Sequence, residues 1–146
     1  IEASNVVQYY DGTSWATLAP SSITTATATV STSENTSSTS FTDLTTVGPS
    51  VTVTTGTTVL VLTNSEVTTG NNTPVRFDFA ISGATTRSAA DATSGFLQPD
   101  SANNAARIGV SNLMTVTAGS NTFTMKYRTG GGSVTFANRT ITVLAF

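Results

Sequence analysis

Apolar and polar residues alternate along most of this chain with a period of two, the pattern of strands that bury one face. Val51-Thr52-Val53-Thr54 alternates cleanly and stops at Gly56. Val75-Arg76-Phe77-Asp78-Phe79-Ala80-Ile81 puts Val75, Phe77, Phe79 and Ile81 on one face and Arg76 and Asp78 on the other. Asn121 to Arg128 repeats the arrangement, with Phe123, Met125 and Tyr127 opposed to Thr124, Lys126 and Arg128. Val59-Leu60-Val61-Leu62 is a continuous apolar run, which predicts burial on both faces. No stretch sustains an apolar period of 3.6, and threonine, β-branched and stiff at χ1, favours strands over helices.

Between these segments the punctuation is regular. Val6 to Leu18 reads as a small hairpin turned at Asp11-Gly12, since glycine accepts the positive φ of tight turns. Ala19-Pro20-Ser21-Ser22 breaks the pattern after it. Thr24 to Val30 has the alternation of a weak strand, and Ser31 to Ser40 is polar enough to read as a loop or linker. Phe41 to Thr46 predicts a strand closed by the turn Gly48-Pro49, and Asn64 to Thr73 a polar loop. Gly83 to Asn104 is irregular, with Phe96 and Leu97 as anchors. Arg107 to Val110 leads into Leu113 to Val116, and Ala118-Gly119-Ser120 makes a turn. Gly130-Gly131-Gly132 is a loop, and the last strand runs from Val134 to Phe146. About eight strands at such spacing predict an all-β, antiparallel sandwich. The chain divides into a hairpin arm (1–22), a Thr/Ser-rich linker or edge strand (23–40) and a main domain (41–146).

Composition narrows the function. The 146 residues include no cysteine and no histidine, and only 10% are charged, against about a quarter in an ordinary globular protein. Threonine and serine fill the gap at about a third of positions. The usual zinc, haem, iron–sulfur and copper ligands are therefore missing, so neither a metal site nor a cofactor site is expected. No Ser–His or Cys–His nucleophile pair can be assembled. The net charge is −2 and the six basic residues are scattered, which argues against nucleic acid as a partner. No apolar run reaches the ~18 residues of a membrane span, so membrane insertion is not expected. Ile1-Glu2-Ala3-Ser4 carries neither an initiator Met nor a signal-peptide pattern, the expectation being a processed or excerpted chain.

The remaining chemistry reads as structural. The eight carboxylates (Glu2, Asp11, Glu34, Asp43, Glu66, Asp78, Asp91, Asp100) are dispersed, whereas a glycosidase needs two of them flanking a sugar cleft. No Asp-rich calcium loop occurs, and Gly130-Gly131-Gly132-Ser133 lacks the Lys and helix of a phosphate loop. The N-x-[ST] matches at Asn35, Asn71 and Asn138 are nearly inevitable in so threonine-rich a chain. Phe77, Phe79, Phe123, Met125 and Tyr127 have core spacing rather than that of a stacking platform. Tyr9, Tyr10 and Trp15 form the one aromatic group outside the main pattern. They read equally as an anchor for a partner and as cover for the chain's own domain. No catalytic residue is assigned, and the chain is expected not to be an enzyme.

Tyr10-Asp11-Gly12-Thr13-Ser14-Trp15 resembles the Y-D-G-T-x-W segments of tail and fibre proteins of tailed bacteriophages. Val47 to Thr57 resembles the opening of a jelly-roll module of phage virion proteins, and Gly119 to Thr124 and Phe136 to Val143 are similar to its last strands. Such modules in turn resemble the C1q/tumour-necrosis-factor jelly roll, which usually assembles as a trimer. The Gly-x-y repeat that often precedes them is absent, which argues against a rod-like stalk. The resemblance implies a non-enzymatic virion-surface protein, a capsid decoration protein or short head or tail fibre. A receptor- or glycan-binding module is the alternative. It further implies a jelly roll that is a homotrimer, with Val59, Val61, Val143 and Phe146 near the threefold axis. Tyr9, Tyr10 and Trp15 would dock on another virion protein, such as the major capsid or tail protein, and a host-surface glycan is a further candidate partner.

Overall fold

The computed structural model describes residues 7–17, 22–69, 72–100 and 104–146. Val6, Leu18, the expected break at Ala19-Pro20-Ser21, Gly70-Asn71 of the expected polar loop and the N-terminal residues including Glu2 lie outside them. Among the described residues there is no α-helix, only one 3₁₀ turn at Asp91–Thr93. Among the described residues no helix is long and apolar enough to cross a membrane.

Strands β1 (Gln8–Tyr10) and β2 (Trp15–Thr17) pair with each other. The others are β3 (Thr24–Val30), β4 (Glu34–Thr36), β5 (Ser50–Thr55), β6 (Thr58–Thr69), β7 (Val75–Gly83), β8 (Gly95–Leu97), β9 (Asn104–Thr115), β10 (Gly119–Thr129) and β11 (Val134–Ala145). One sheet has the order β5-β10-β7-β8 and the other β3-β11-β6-β9, with β4 added beside β11. All pairs are antiparallel. The chain crosses from one sheet to the other at nearly every connection, so the two sheets close as a jelly roll.

The core lies between the sheets and is built from the period-two faces. Phe77, Phe79, Phe123, Met125 and Tyr127 are completely buried, as the alternation predicts. Gly95 lies opposite Phe77 across the β7–β8 pair, and the Phe77 ring packs over it. A Cβ there would stand 2.5 Å from the ring.

Several sequence expectations change. Val59-Leu60-Val61-Leu62 is not buried on both faces: Val59 and Val61 enter the core, and Leu60 and Leu62 lie on the outer face. Most of Asn64–Thr73 is not loop, because β6 continues to Thr69 with Thr63, Ser65, Val67 and Thr69 inward. Hydroxyl-bearing residues can extend a strand when its neighbours supply the ladder bonds. Phe41–Thr46 forms no strand, only a bridge from Thr42 to Tyr127, while Leu44 is buried in the core. The stretch 23–40 supplies both β3 and β4 to the β11 sheet, so the sandwich begins at Thr24 rather than at Phe41. Its alternation of Thr and Ala suffices: Ala26 and Ala28 pack on the core. Thr27 and Thr29 hydroxyls bond Thr142 and Thr140 across the sheet at 3.0 Å each.

Strand β11 holds the least predictable feature. Val134 and Phe136 face inward, but so do Arg139, Ile141, Val143 and Ala145. The phase changes at a bulge between Ala137 and Thr140, where Asn138 takes φ 47°. The extra residue bends the strand and turns Arg139 into the interior, where it is fully buried. Its guanidinium donates to Glu34 at 2.9 Å and to the carbonyls of Thr32, Thr46 and Gly48 at 3.4–3.5 Å. It also lies 5.4 Å from the Tyr127 ring centroid, and the Tyr127 hydroxyl donates to Gly48 O at 2.8 Å. One buried cation thus gathers the connections on both sides of β4.

Glu34 completes this cluster. Burial acts to raise its carboxyl, but the hydroxyl and N–H of Thr46 donate to it, and the Arg139 charge adds to them. Together they hold it below its ordinary value of 4.5. A depressed folded value means that stability is present above about pH 4.5 and is lost as pH falls through the folded value. Thermal unfolding followed from pH 7 to pH 3 should therefore show a fall in melting temperature below that point. Glu34→Gln should be less stable at pH 7 and flatter across the acid range. Parallel curves for the two proteins would remove Glu34 from the acid response.

Candidate functional site

Two places present side chains in an arrangement that could meet a partner. The first is the β1–β2 hairpin. Its loop is longer than the Asp11-Gly12 dipeptide predicts, four residues from Asp11 to Ser14, because Tyr10 pairs with Trp15. Asp11 Oδ1 accepts the N–H groups of Thr13 and Ser14 at 2.8 Å each, and Gly12 sits at φ +99°. Those bonds, from Ser14 first and Thr13 second, hold the Asp11 carboxyl below its ordinary value.

The turn brings Tyr10 and Trp15 together as a tilted pair 5.5 Å apart. Tyr9 is not part of this cluster. It pairs with Ala16, and strand alternation sends it to the opposite face. All three rings are exposed, Trp15 by 68%. A two-stranded hairpin is marginal in water by itself, so an exposed aromatic pair on one is a surface suited to further burial.

The trimer-interface candidates fare differently. Val59, Val61 and Val143 are wholly buried between the chain's own sheets, so their side chains offer no surface to a second copy. Phe146 is 45% exposed. The outward positions of the same strands are Leu60, Leu62 and Leu144. Leu60 is flanked by Leu144 on one side and Leu113 on the other, the latter 70% exposed.

The second place is a shallow groove of about 740 Å³ on the outer face of the β10–β7 sheet. Lys126 and Arg128, on alternate positions of β10, lie along it. One wall is the segment 39–43, the other the segment 87–91. Each wall is tied to β10 by an ion pair. Lys126 Nζ reaches both oxygens of Asp43 at 2.7 Å, and Arg128 Nε reaches Asp91 Oδ1 at 2.8 Å, with a second contact from Nη2 to Oδ2. The half-buried Phe41 ring is also in the groove, 5.5 Å from the Arg128 guanidinium.

Arg76 and Arg128 are direct cross-strand partners, an arrangement of like charges that would repel. Asp91 relieves it by facing both: Arg76 Nε is 3.9 Å from its carboxylate. Arg76 also covers the Phe96 ring at 4.0 Å, so Phe96 is a partly exposed stacking partner rather than a core anchor.

The 87–91 wall is fastened from beneath by Asp78, which is fully buried. Its Oδ2 accepts from Arg87 Nη2 at 2.8 Å, Ala90 N at 2.7 Å and Thr93 Oγ1 at 2.9 Å. Arg87 forms a backbone bridge with Ile81 and donates to Phe79 O and Thr93 Oγ1, covering the edge of β7 beyond β8. Sequence reasoning puts Lys126 and Arg128 together on an outer face. It misses Phe41, Asp43, Arg87 and Asp91, which arrive from segments 35–85 residues away in the chain.

Among the described residues no group of three or more His, Cys, Asp or Glu could hold a metal ion. Asp11, Glu34, Asp43, Glu66, Asp78 and Asp91 are each held by backbone N–H groups, the hydroxyls of Thr46 or Thr93, Asn138, or arginine and lysine.

No family model matches the sequence, and no curated protein matches it. Among solved structures the chain is similar to the Eiger TNF structure from S. frugiperda, at 9% identity and a TM-score of 0.46. The match covers 78% of this chain and 91% of that one.

Proposed function

We propose that the chain is a non-enzymatic structural protein of a tailed-bacteriophage particle, a capsid decoration protein or short head or tail fibre acting at the virion surface. The observation that carries this reading is the hairpin. Its Tyr10–Trp15 pair is presented to solvent on a turn whose Y-D-G-T-S-W sequence resembles phage tail and fibre segments. Large exposed aromatics of this kind are characteristic of interface anchors. The charge-poor, cysteine-free composition suits a module that persists outside a cell without redox support.

The reading includes a homotrimer, with the contact between copies on the outer face of β6, β9 and β11, where Leu60, Leu62, Leu113 and Leu144 lie in adjacent rows. Closed symmetric assembly would cover that apolar surface. The groove on the other sheet favours the alternative, an adhesin-like module.

Mixing the purified chain with capsids and with host cells tests the reading. Saturable binding to capsids by a species three chains in mass is the expected result. Trp15→Ala should weaken attachment at least tenfold while leaving the sandwich folded by circular dichroism. Saturable binding to cells and none to particles overturns the proposal. Loss of fold in Trp15→Ala would instead make the hairpin part of the core.

A further inference from the structure

The groove between segments 39–43 and 87–91 is a binding site for a neutral glycan, we infer, whatever particle carries the chain. Charge is scarce in this protein. Yet four of its six basic residues, Arg76, Arg87, Lys126 and Arg128, and three of its eight acidic ones, Asp43, Asp78 and Asp91, meet on this one face. Elsewhere the outer faces of the sheets carry threonine and serine hydroxyls and the leucines of β6, β9 and β11, with the cross-strand partners Glu66 and Arg107 as a charged exception. The partly exposed pairs Lys126–Asp43 and Arg128–Asp91 add little to stability, so stability alone does not explain their placement in a concavity.

The groove is also built to be rigid. Asp78 holds the 87–91 wall by a backbone N–H and two side chains. Lys126 and Arg128, each about one-fifth exposed, keep their carboxylate partners in place. Preorganised polar groups in a half-enclosed space are the usual form of a ligand site.

The charges select the ligand. Each of Lys126 and Arg128 already faces a carboxylate at 2.7–2.8 Å, so an anion would have to displace Asp43 or Asp91. A pair of vicinal hydroxyls needs no displacement. One hydroxyl donates to the remaining lone pairs of Asp43 or Asp91, and its neighbour accepts from the ammonium or guanidinium beside it. The Phe41 ring gives an apolar surface for the C–H face of a pyranose. The volume suits one or two sugar residues.

Titration of the ¹⁵N-labelled full chain with maltose, lactose and N,N′-diacetylchitobiose, with inorganic phosphate as a parallel arm, tests this. At least one disaccharide should shift amides of residues 39–43, 87–91, 126 and 128 with millimolar affinity. Phe41→Ala and Asp91→Asn should each weaken that binding at least tenfold with the remaining spectrum unchanged. Shifts with phosphate alone, shifts confined to other surfaces, silence with all three sugars, or equal binding by both variants would overturn the inference. None of these outcomes bears on capsid attachment, which is read from Trp15.

Discussion

Arg139→Ala is expected to lower folding stability by about 3–5 kcal/mol, the range for removing one partner of a buried ion pair. The cation is wholly enclosed, and its removal leaves Glu34, itself only 12% exposed, beside the carbonyls of Thr32 and Thr46, which lose the guanidinium, and Gly48 O, which keeps only the Tyr127 hydroxyl. Chemical denaturation of wild type, Arg139→Ala, Glu34→Gln and the double variant gives the pair energy directly. A coupling of ~1–3 kcal/mol is expected, since the side chains share one network. The connections 31–33 and 45–48 should also lose amide-exchange protection before the core strands do. A loss below 1 kcal/mol with unchanged exchange would mean that burial, not the cation, holds these connections.

Asp78→Ala is the second large effect, expected at about 3 kcal/mol by the same principle. Here the partner is less confined: Arg87 is 17% exposed and can turn toward water, which sets the value at the lower end. The lasting defect is the Ala90 N–H, left without its acceptor, while the Thr93 hydroxyl keeps as acceptor only Ala90 O, at 3.4 Å. Asp78→Asn separates charge from geometry. Only Oδ2 is engaged, since Oδ1 has no hydrogen-bond partner among the described residues. An amide oxygen in the Oδ2 position would therefore keep the Ala90 and Thr93 contacts. Asn should recover part of the loss, and exchange at Ala90 should be at least tenfold slower in Asn than in Ala. Equal exchange in all three proteins would show that the Arg87–Ile81 bridge alone fixes the wall.

What could be read from sequence follows the range of the interactions. The hairpin was visible because Asp11, Gly12 and the two N–H groups that Asp11 accepts lie within four residues. The core faces of β7 and β10 were visible because Phe77, Phe79, Phe123, Met125 and Tyr127 repeat with the pleat. Arg139 was not. An arginine among threonines reads as a solvent-facing residue, and counting by twos from Phe136 places Asn138, not Arg139, inside. The one available hint is Asn138 itself, since asparagine tolerates the left-handed backbone that a bulge can require. The inward placement of Val59 and Val61 was hidden for a related reason. A run of four apolar residues has the same composition whether both faces are enclosed or one meets solvent, and only the neighbouring strands decide. The groove's walls were invisible because Asp43 and Asp91 are unremarkable in their own segments. Their meaning comes from Lys126 and Arg128.

The paired hydroxyls on the outer faces have a consequence for the medium this chain can inhabit. Thr27–Thr142, Thr29–Thr140, Ser50–Thr124 and Thr52–Thr122 link neighbouring strands at 2.8–3.0 Å. Opposite-charge pairs can serve the same purpose across strands. Dissolved salt screens such pairs within a Debye length of about 8 Å at 0.15 M, whereas a hydroxyl–hydroxyl bond carries no net charge to screen. Within each sheet these strand pairs are therefore joined by contacts that carry no net charge for dissolved salt to screen.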